Sequence, residues 1–107
     1  MRIYNLRDMV GGWFVGNFEP AALQTDTFEV CYKHHKEGEV WDTHYHKEAI
    51  EVNLLVKGTM FINDMKIVAG EIFVIPPYYV SAPVFASDCE LVVIKTPSIK
   101  GDKYVVK

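Results

Sequence analysis

His44 and His46 stand one residue apart, and Glu51 follows five positions later. In an extended strand, side chains at i and i+2 share a face, so the two imidazoles project together while Tyr45 points away. The segment HKEAI (46 to 50) allows a turn, after which EVNLL returns as a second strand. Glu51, Asn53 and Leu55 then share one face, and that face can be the one carrying the histidines. Two imidazoles and a carboxylate converging inside a barrel make a 2-His-1-carboxylate set. Such a set suits one divalent transition metal, Fe, Mn, Ni, Co or Zn, and leaves positions open for water or substrate. An inward carboxylate beside two histidines is costly without a cation or protons to neutralise it, which favours a metal over a polar cluster satisfied only by its own hydrogen bonds.

The elements that must position these groups are strands. No segment of about 12 residues repeats apolar positions at helical spacing without interruption by Gly, Pro or a β-branched cluster. By contrast TFEVCYKHH (27 to 35), EAIEVNLLVKG (48 to 58), TMFIND (59 to 64), MKIVAG (65 to 70), EIFVIPP (71 to 77) and CELVVIKTP (89 to 97) are short apolar or alternating runs. Asn63-Asp64 suits a tight hairpin turn, since both residues tolerate left-handed backbone. Gly58 and Gly70 punctuate the strands and Pro76-Pro77 ends one. Many short strands with such breaks predict an all-β jelly-roll barrel.

The chain has 107 residues, half of them hydrophobic, which is enough for one core and too little for two. The reading is a single domain with an N-terminal arm over 1–25, a barrel core over 26–97 and a tail over 98–107. Net charge is −3 with neutral histidines, and no block of like charge gives a nucleic-acid footprint. No apolar run approaches the roughly 20 residues of a membrane span, and the N-terminus lacks the form of a signal peptide. The expectation is a cytoplasmic protein that binds neither nucleic acid nor membrane. Cys31 and Cys89 lack CxxC spacing and read as reduced, structural thiols. The Gly-rich, aromatic stretch GGWFVGNFEP (11 to 20) reads as an arm packed on the barrel or on a neighbouring subunit. Exposed sheet edges together with that arm suggest a homodimer.

Gly38, five residues, His44, one residue, His46, four residues, Glu51, six residues and Gly58 reproduce every fixed position of the first cupin motif. Gly70 and, after five more residues, Pro76 resemble the start of the second. There the pattern departs: Tyr78 stands where that motif has Gly, Ser81 where it has its last metal-binding His, and Phe85 where it has Asn. The resemblance spans about residues 28 to 95 and implies a double-stranded β-helix with a metal site of His44, His46 and Glu51 in the barrel mouth. It leaves the fourth ligand open.

Around this set, the apolar alternation Phe28, Val30, Tyr32 predicts His34 inward and His35 outward, making His34 a candidate ligand or acid/base. Asn53, Tyr78 and Ser81 are candidate substrate contacts. Trp41 lies on the parity opposite His44 and His46 and reads as packing. The tail's Thr-Pro-Ser and Gly-Asp-Lys pieces resemble the ends of small stand-alone cupins that travel with sugar-nucleotide enzymes. Together these features suggest a small cupin-type metal-binding protein that binds or acts on a small polar molecule such as a sugar or sugar nucleotide. Isomerisation, epimerisation and dioxygenation all suit such a centre. Two alternatives remain: a metal-free sugar-nucleotide isomerase using His44 and His46 as acid and base, as HYHK resembles, and a non-catalytic small-ligand module.

Overall fold

The Val-, Ile- and aromatic-rich runs between Gly and Pro breaks form eleven strands in a computed structural model that describes residues 1–107. They are β1 (Trp13–Gly16), β2 (Leu23–Gln24), β3 (Glu29–His35), β4 (His44–Tyr45), β5 (Ile50–Lys57), β6 (Thr59–Ile62), β7 (Met65–Val68), β8 (Ile72–Ile75), β9 (Pro83–Phe85), β10 (Cys89–Thr96) and β11 (Tyr104–Val105). Two single-turn 3-10 helices precede them, and no helix is long and apolar enough to cross a membrane.

The larger sheet has the order β2-β1-β3-β10-β5-β8. Its opposite number is β7-β6-β9, extended by the isolated bridges Val40–Val84 and His44–Ser81 to the β11-β4 pair. Non-sequential neighbours such as β3-β10-β5 are the crossovers of a jelly roll, so the architecture is the all-β double-stranded β-helix. Residues 13–16, within the segment read as an arm, join the chain's own sheet through β3. Asn63 (φ 47°) and Asp64 (φ 70°) make the β6–β7 hairpin with the left-handed pair that a two-residue turn requires. Gly58 (φ 100°) turns β5 into β6 where a Cβ would lie 2.3 Å from the Asp88 carbonyl oxygen, so only glycine fits.

The core lies between the sheets and is built on Cys31, Leu55, Met60, Ile62, Ile67, Phe85, Cys89, Leu91 and Val93. Both cysteines are free, and burial pushes the Cys31 thiol up to about 12, which leaves it an inert hydrophobe.

One parity differs from the sequence reading. Cys31, Lys33 and His35 face the interior, while Tyr32 and His34 face out: Tyr32 Oη donates to Glu90 at 2.5 Å, and His34, with 68% of its side chain exposed, lies 3.5 Å from the same carboxylate. Seating the apolar residues inward fails because this sheet carries apolar side chains on both faces. Val52, Val74 and Ile94 on neighbouring strands occupy the outer one, and the inner face is the one that turns polar where it meets the cavity.

Candidate metal centre and ligand cavity

β4 is only two residues long and is held from both sides. His44 and Ser81 exchange backbone hydrogen bonds of 3.0 and 2.9 Å, and β11 pairs Tyr104 with Tyr45 and Val105 with His44. The loop after it is fixed by the tail. The Asp102 carboxylate accepts from the backbone N–H groups of Lys47 (3.0 Å), Glu48 (3.2 Å) and Ala49 (2.9 Å), and its backbone carbonyl accepts from His46 Nδ1 at 2.5 Å. Asp102 thus sets both the turn into β5 and the ring of His46.

These contacts fix the tautomers. Both imidazoles give their Nδ1–H to a carbonyl, His46 to Asp102 and His44 to Asp42 (2.8 Å), so in each neutral ring Nε2 carries the lone pair. His46 is buried, and its Nε2 has no hydrogen-bond partner. That atom lies 3.5 Å from Glu51 Oε1, and the two imidazole rings are 5.4 Å apart at 78°. Two donors each about 2.1 Å from a shared tetrahedral or octahedral ion would be separated by roughly 3 to 3.5 Å. A lone pair facing a carboxylate across that distance is an arrangement that a cation relieves. The His46–Glu51 pair therefore suits a divalent metal in chemistry, tautomer and spacing, while no group of three His, Cys, Asp or Glu side chains converges closely enough here to hold one. Carbonyl-anchored Nδ1 groups are what orient metal-binding histidines generally.

A residue that the sequence reading passed over stands beside them. Lys95 Nζ lies 3.8 Å from Glu51 Oε1, with only 19% of its side chain exposed. Burial pushes the Glu51 carboxyl up, but His46 when a proton on Nε2 lets it donate, together with Lys95 and the Asn53 amide, outweighs it and holds the group below its ordinary range. Asn53 is buried and donates from Nδ2 to Glu51 Oε2 at 2.9 Å, so it aims the carboxylate. Burial, together with Lys103 and His46, lowers His44 against the opposing pull of the Asp42 carbonyl, which keeps this imidazole neutral.

The site opens on a cavity of about 210 Å³ lined by His44, Glu51, Asn53 and Ser81 on its polar side and by Met60, Ile62, Phe73, Ile75 and Phe85 on its apolar side. His46 lines a second space of about 220 Å³ beneath the 98–103 tail. Among the candidate contacts, Asn53 and Ser81 reach the first cavity. Tyr78 does not: it is 66% exposed, its backbone is left-handed (φ 65°), and its ring lies 6.2 Å from that of Tyr45 on the rim. Two corrections go the other way. Trp41 lines the cavity because residues 41 to 43 are irregular chain, in which strand parity does not propagate. His35 lines it as well, stacked on Phe85 at 4.1 Å with its Nδ1 on the Glu39 carboxylate, which also accepts from Trp41 Nε1 at 2.6 Å.

The pH dependence of stability follows from these shifts. His44 titrates below its ordinary 6.5, so in the window beneath that value the unfolded chain takes up a proton that the native site refuses, and stability falls with acidification. Glu51 and Asp102 lie below their ordinary 4.5 and 3.8; burial raises Asp102, but its three backbone donors and His46 outweigh it. Their contributions are complete above those values and are lost as pH falls through the native ones. Urea midpoints of the metal-free protein are therefore expected to decline in two stages, the first beginning near pH 6.5 and the second near pH 4.5. A midpoint flat from pH 7 to 4 would contradict this.

No protein-family model matches the chain, and no curated protein is similar to it in sequence. Among solved structures it resembles an uncharacterized conserved protein with a double-stranded β-helix domain from Klebsiella pneumoniae (TM-score 0.71, 18% identity, covering 98% of this chain and 91% of that one). It is also similar to a protein from Planctomyces limnophilus (0.69, 17%, 97% and 96%). A third likeness is to the DMSP lyase DddQ from Ruegeria pomeroyi (0.70, 12%, 86% and 48%). The chain is a small cupin-fold domain.

Proposed function

We propose that this protein binds one divalent transition metal (Fe, Mn, Ni, Co or Zn) through His44, His46 and Glu51 and presents it to a small polar molecule in the barrel cavity. The observation that carries this reading is the buried, unpartnered Nε2 of His46, fixed by the Asp102 carbonyl and facing the Glu51 carboxylate at 3.5 Å. When bound, such an ion supplies Lewis acidity toward an oxygen of the ligand. The chain does the rest. Asn53 aims Glu51, Lys95 balances its charge, Ser81 gives a hydroxyl at the cavity wall, and the Met60, Ile62, Phe73 and Phe85 side excludes water. DMSP lyase chemistry in a relative of similar fold is compatible with a small-molecule role but, at 12% identity, does not choose the reaction.

The test is metal analysis of protein purified without chelators, with Asp102-intact variants at positions 44, 46 and 51 as controls. About one equivalent of a single transition metal supports the reading. Lys95 favours a second reading, since an ammonium already pairs Glu51: metal-free acid/base chemistry by His44 and His46 on a sugar nucleotide. Turnover that survives metal stripping would select it, and ligand binding with no turnover would select a non-catalytic module.

A homodimer belongs to the same proposal. β8 is an edge strand whose Ile72 and Val74 are 66% and 58% exposed, continuous with Ile50, Val56 and Ile94 on the outer sheet face. A second copy presents the same face and edge, so two-fold pairing covers both. Ile72→Lys with Val74→Lys is expected to give monomers by sedimentation, and unchanged dimer mass would refute this interface.

A further inference from the structure

Three of the chain's 11 Lys and Arg residues, Lys33, Lys95 and Lys103, line one cavity in a protein of net charge −3. They come from β3, from β10 and from the tail, so only the fold assembles them. Lys95 is paired with Glu51. The other two are not: lysine ion pairs in this protein involve only Lys57 and Lys95. Indole faces hold them in place. Lys33 Nζ lies 5.7 Å from the Trp13 ring centroid and 5.8 Å from that of Trp41, and Lys103 Nζ lies 4.8 Å from Trp41. Cation–π contact positions an ammonium but leaves its charge uncompensated and its N–H groups free to donate.

We propose that the cavity takes a small organic anion whose negative group is held by Lys33 and Lys103 between Trp13 and Trp41, with its body reaching toward His44, Glu51 and Asn53. Glu51 is the one acidic residue of the cavity wall, and Lys95 already balances it, so the local charge left for a ligand to answer is positive. The apolar wall of Met60, Ile62 and Phe73 offers surface for an aromatic or sugar body, and a volume of about 210 Å³ limits the ligand to a small molecule. The anionic group is a carboxylate or a phosphate, and the test separates them. This inference rests on the reading of the cavity as a ligand site but not on the metal.

The test is calorimetric titration of the full chain, in EDTA and again with one equivalent of Mn²⁺, using matched probes: D-glucuronate, D-glucose 6-phosphate and D-glucose, and benzoate with benzamide. At least one anion is expected to bind about tenfold or more tightly than its uncharged match, and to lose about tenfold or more in Lys33→Gln/Lys103→Gln, the scale of a lost charge-assisted contact. Lys33→Arg/Lys103→Arg should restore most of that loss while melting like the wild type. Glucuronate preferred over glucose 6-phosphate identifies a carboxylate, and the reverse a phosphate. No binding by any anion, equal binding of the uncharged matches, or unchanged affinity in the Gln double variant would overturn the proposal. If anion binding fails while the metal remains, only this inference falls; if the anion binds in EDTA and no metal is ever taken up, only the metal reading falls.

Discussion

Replacing His46 by alanine is expected to abolish stoichiometric metal binding, lowering affinity by roughly a hundredfold or more, since even residues that merely orient metal ligands cost 10- to 100-fold when removed. The reasoning runs through one atom. His46 is 4% exposed, its Nδ1–H is committed to the Asp102 carbonyl, and its Nε2 faces Glu51 with nothing bound to it. A buried acceptor without a donor costs about 1 to 3 kcal/mol, and a metal ion between Nε2 and Glu51 would remove that cost, as would a proton on Nε2 shared with the carboxylate. Calorimetric titration of Mn²⁺, Co²⁺, Ni²⁺ and Zn²⁺ into wild type and variant reads the effect. Glu51→Gln should lose binding similarly, because it keeps the shape and the Asn53 contact while removing the charge. Variant affinities within about threefold of wild type would place the metal elsewhere.

Asp102→Ala is expected to be the most destabilising single change in the tail, by about 2 to 4 kcal/mol, with metal affinity falling about 10- to 100-fold. The carboxylate answers three backbone N–H groups across residues 47 to 49, and Ala49, at 2% exposure, cannot turn to water for a replacement. Losing it frees the turn between β4 and β5, and with it the spacing of His46 and Glu51. Urea unfolding measures the first effect and metal titration the second. Asp102→Asn tests the charge: its amide keeps one acceptor oxygen, so it should restore only part of the loss. If Asp102→Ala unfolded at the wild-type urea midpoint, the tail would be incidental to the site.

How much of this was legible in the sequence depended on whether the information was periodic. Glycine punctuation and alternation sufficed for an all-β jelly-roll barrel, because strand parity and turn chemistry are local; the double-stranded β-helix and the grouping of His44, His46 and Glu51 came from the resemblance to the first cupin motif. Parity misled at β3, where Val30 and Tyr32 invited an inward assignment although the outer face of the sheet is apolar too. That alternation points His34 at the site and His35 away, the reverse of what the strand does. At Trp41 parity was applied across irregular chain. Lys95 was findable: Leu91 and Val93 face the core, and the same alternation places Lys95 inward, but the apolar run LVVI draws attention from the charge that ends it. Asp102 was not findable. Its role is carried by hydrogen bonds to backbone more than fifty residues away, which no side-chain pattern encodes.

The most direct measurement is a crystal structure of protein purified without chelators and soaked in Mn²⁺ or Co²⁺, with anomalous data collected at the metal edge. The expected result is one strong anomalous peak within about 2.0 to 2.3 Å of Nε2 of His44, Nε2 of His46 and a carboxylate oxygen of Glu51. No peak there at saturating metal, or a peak whose donors exclude His46, would contradict the assignment of this barrel as a metal centre.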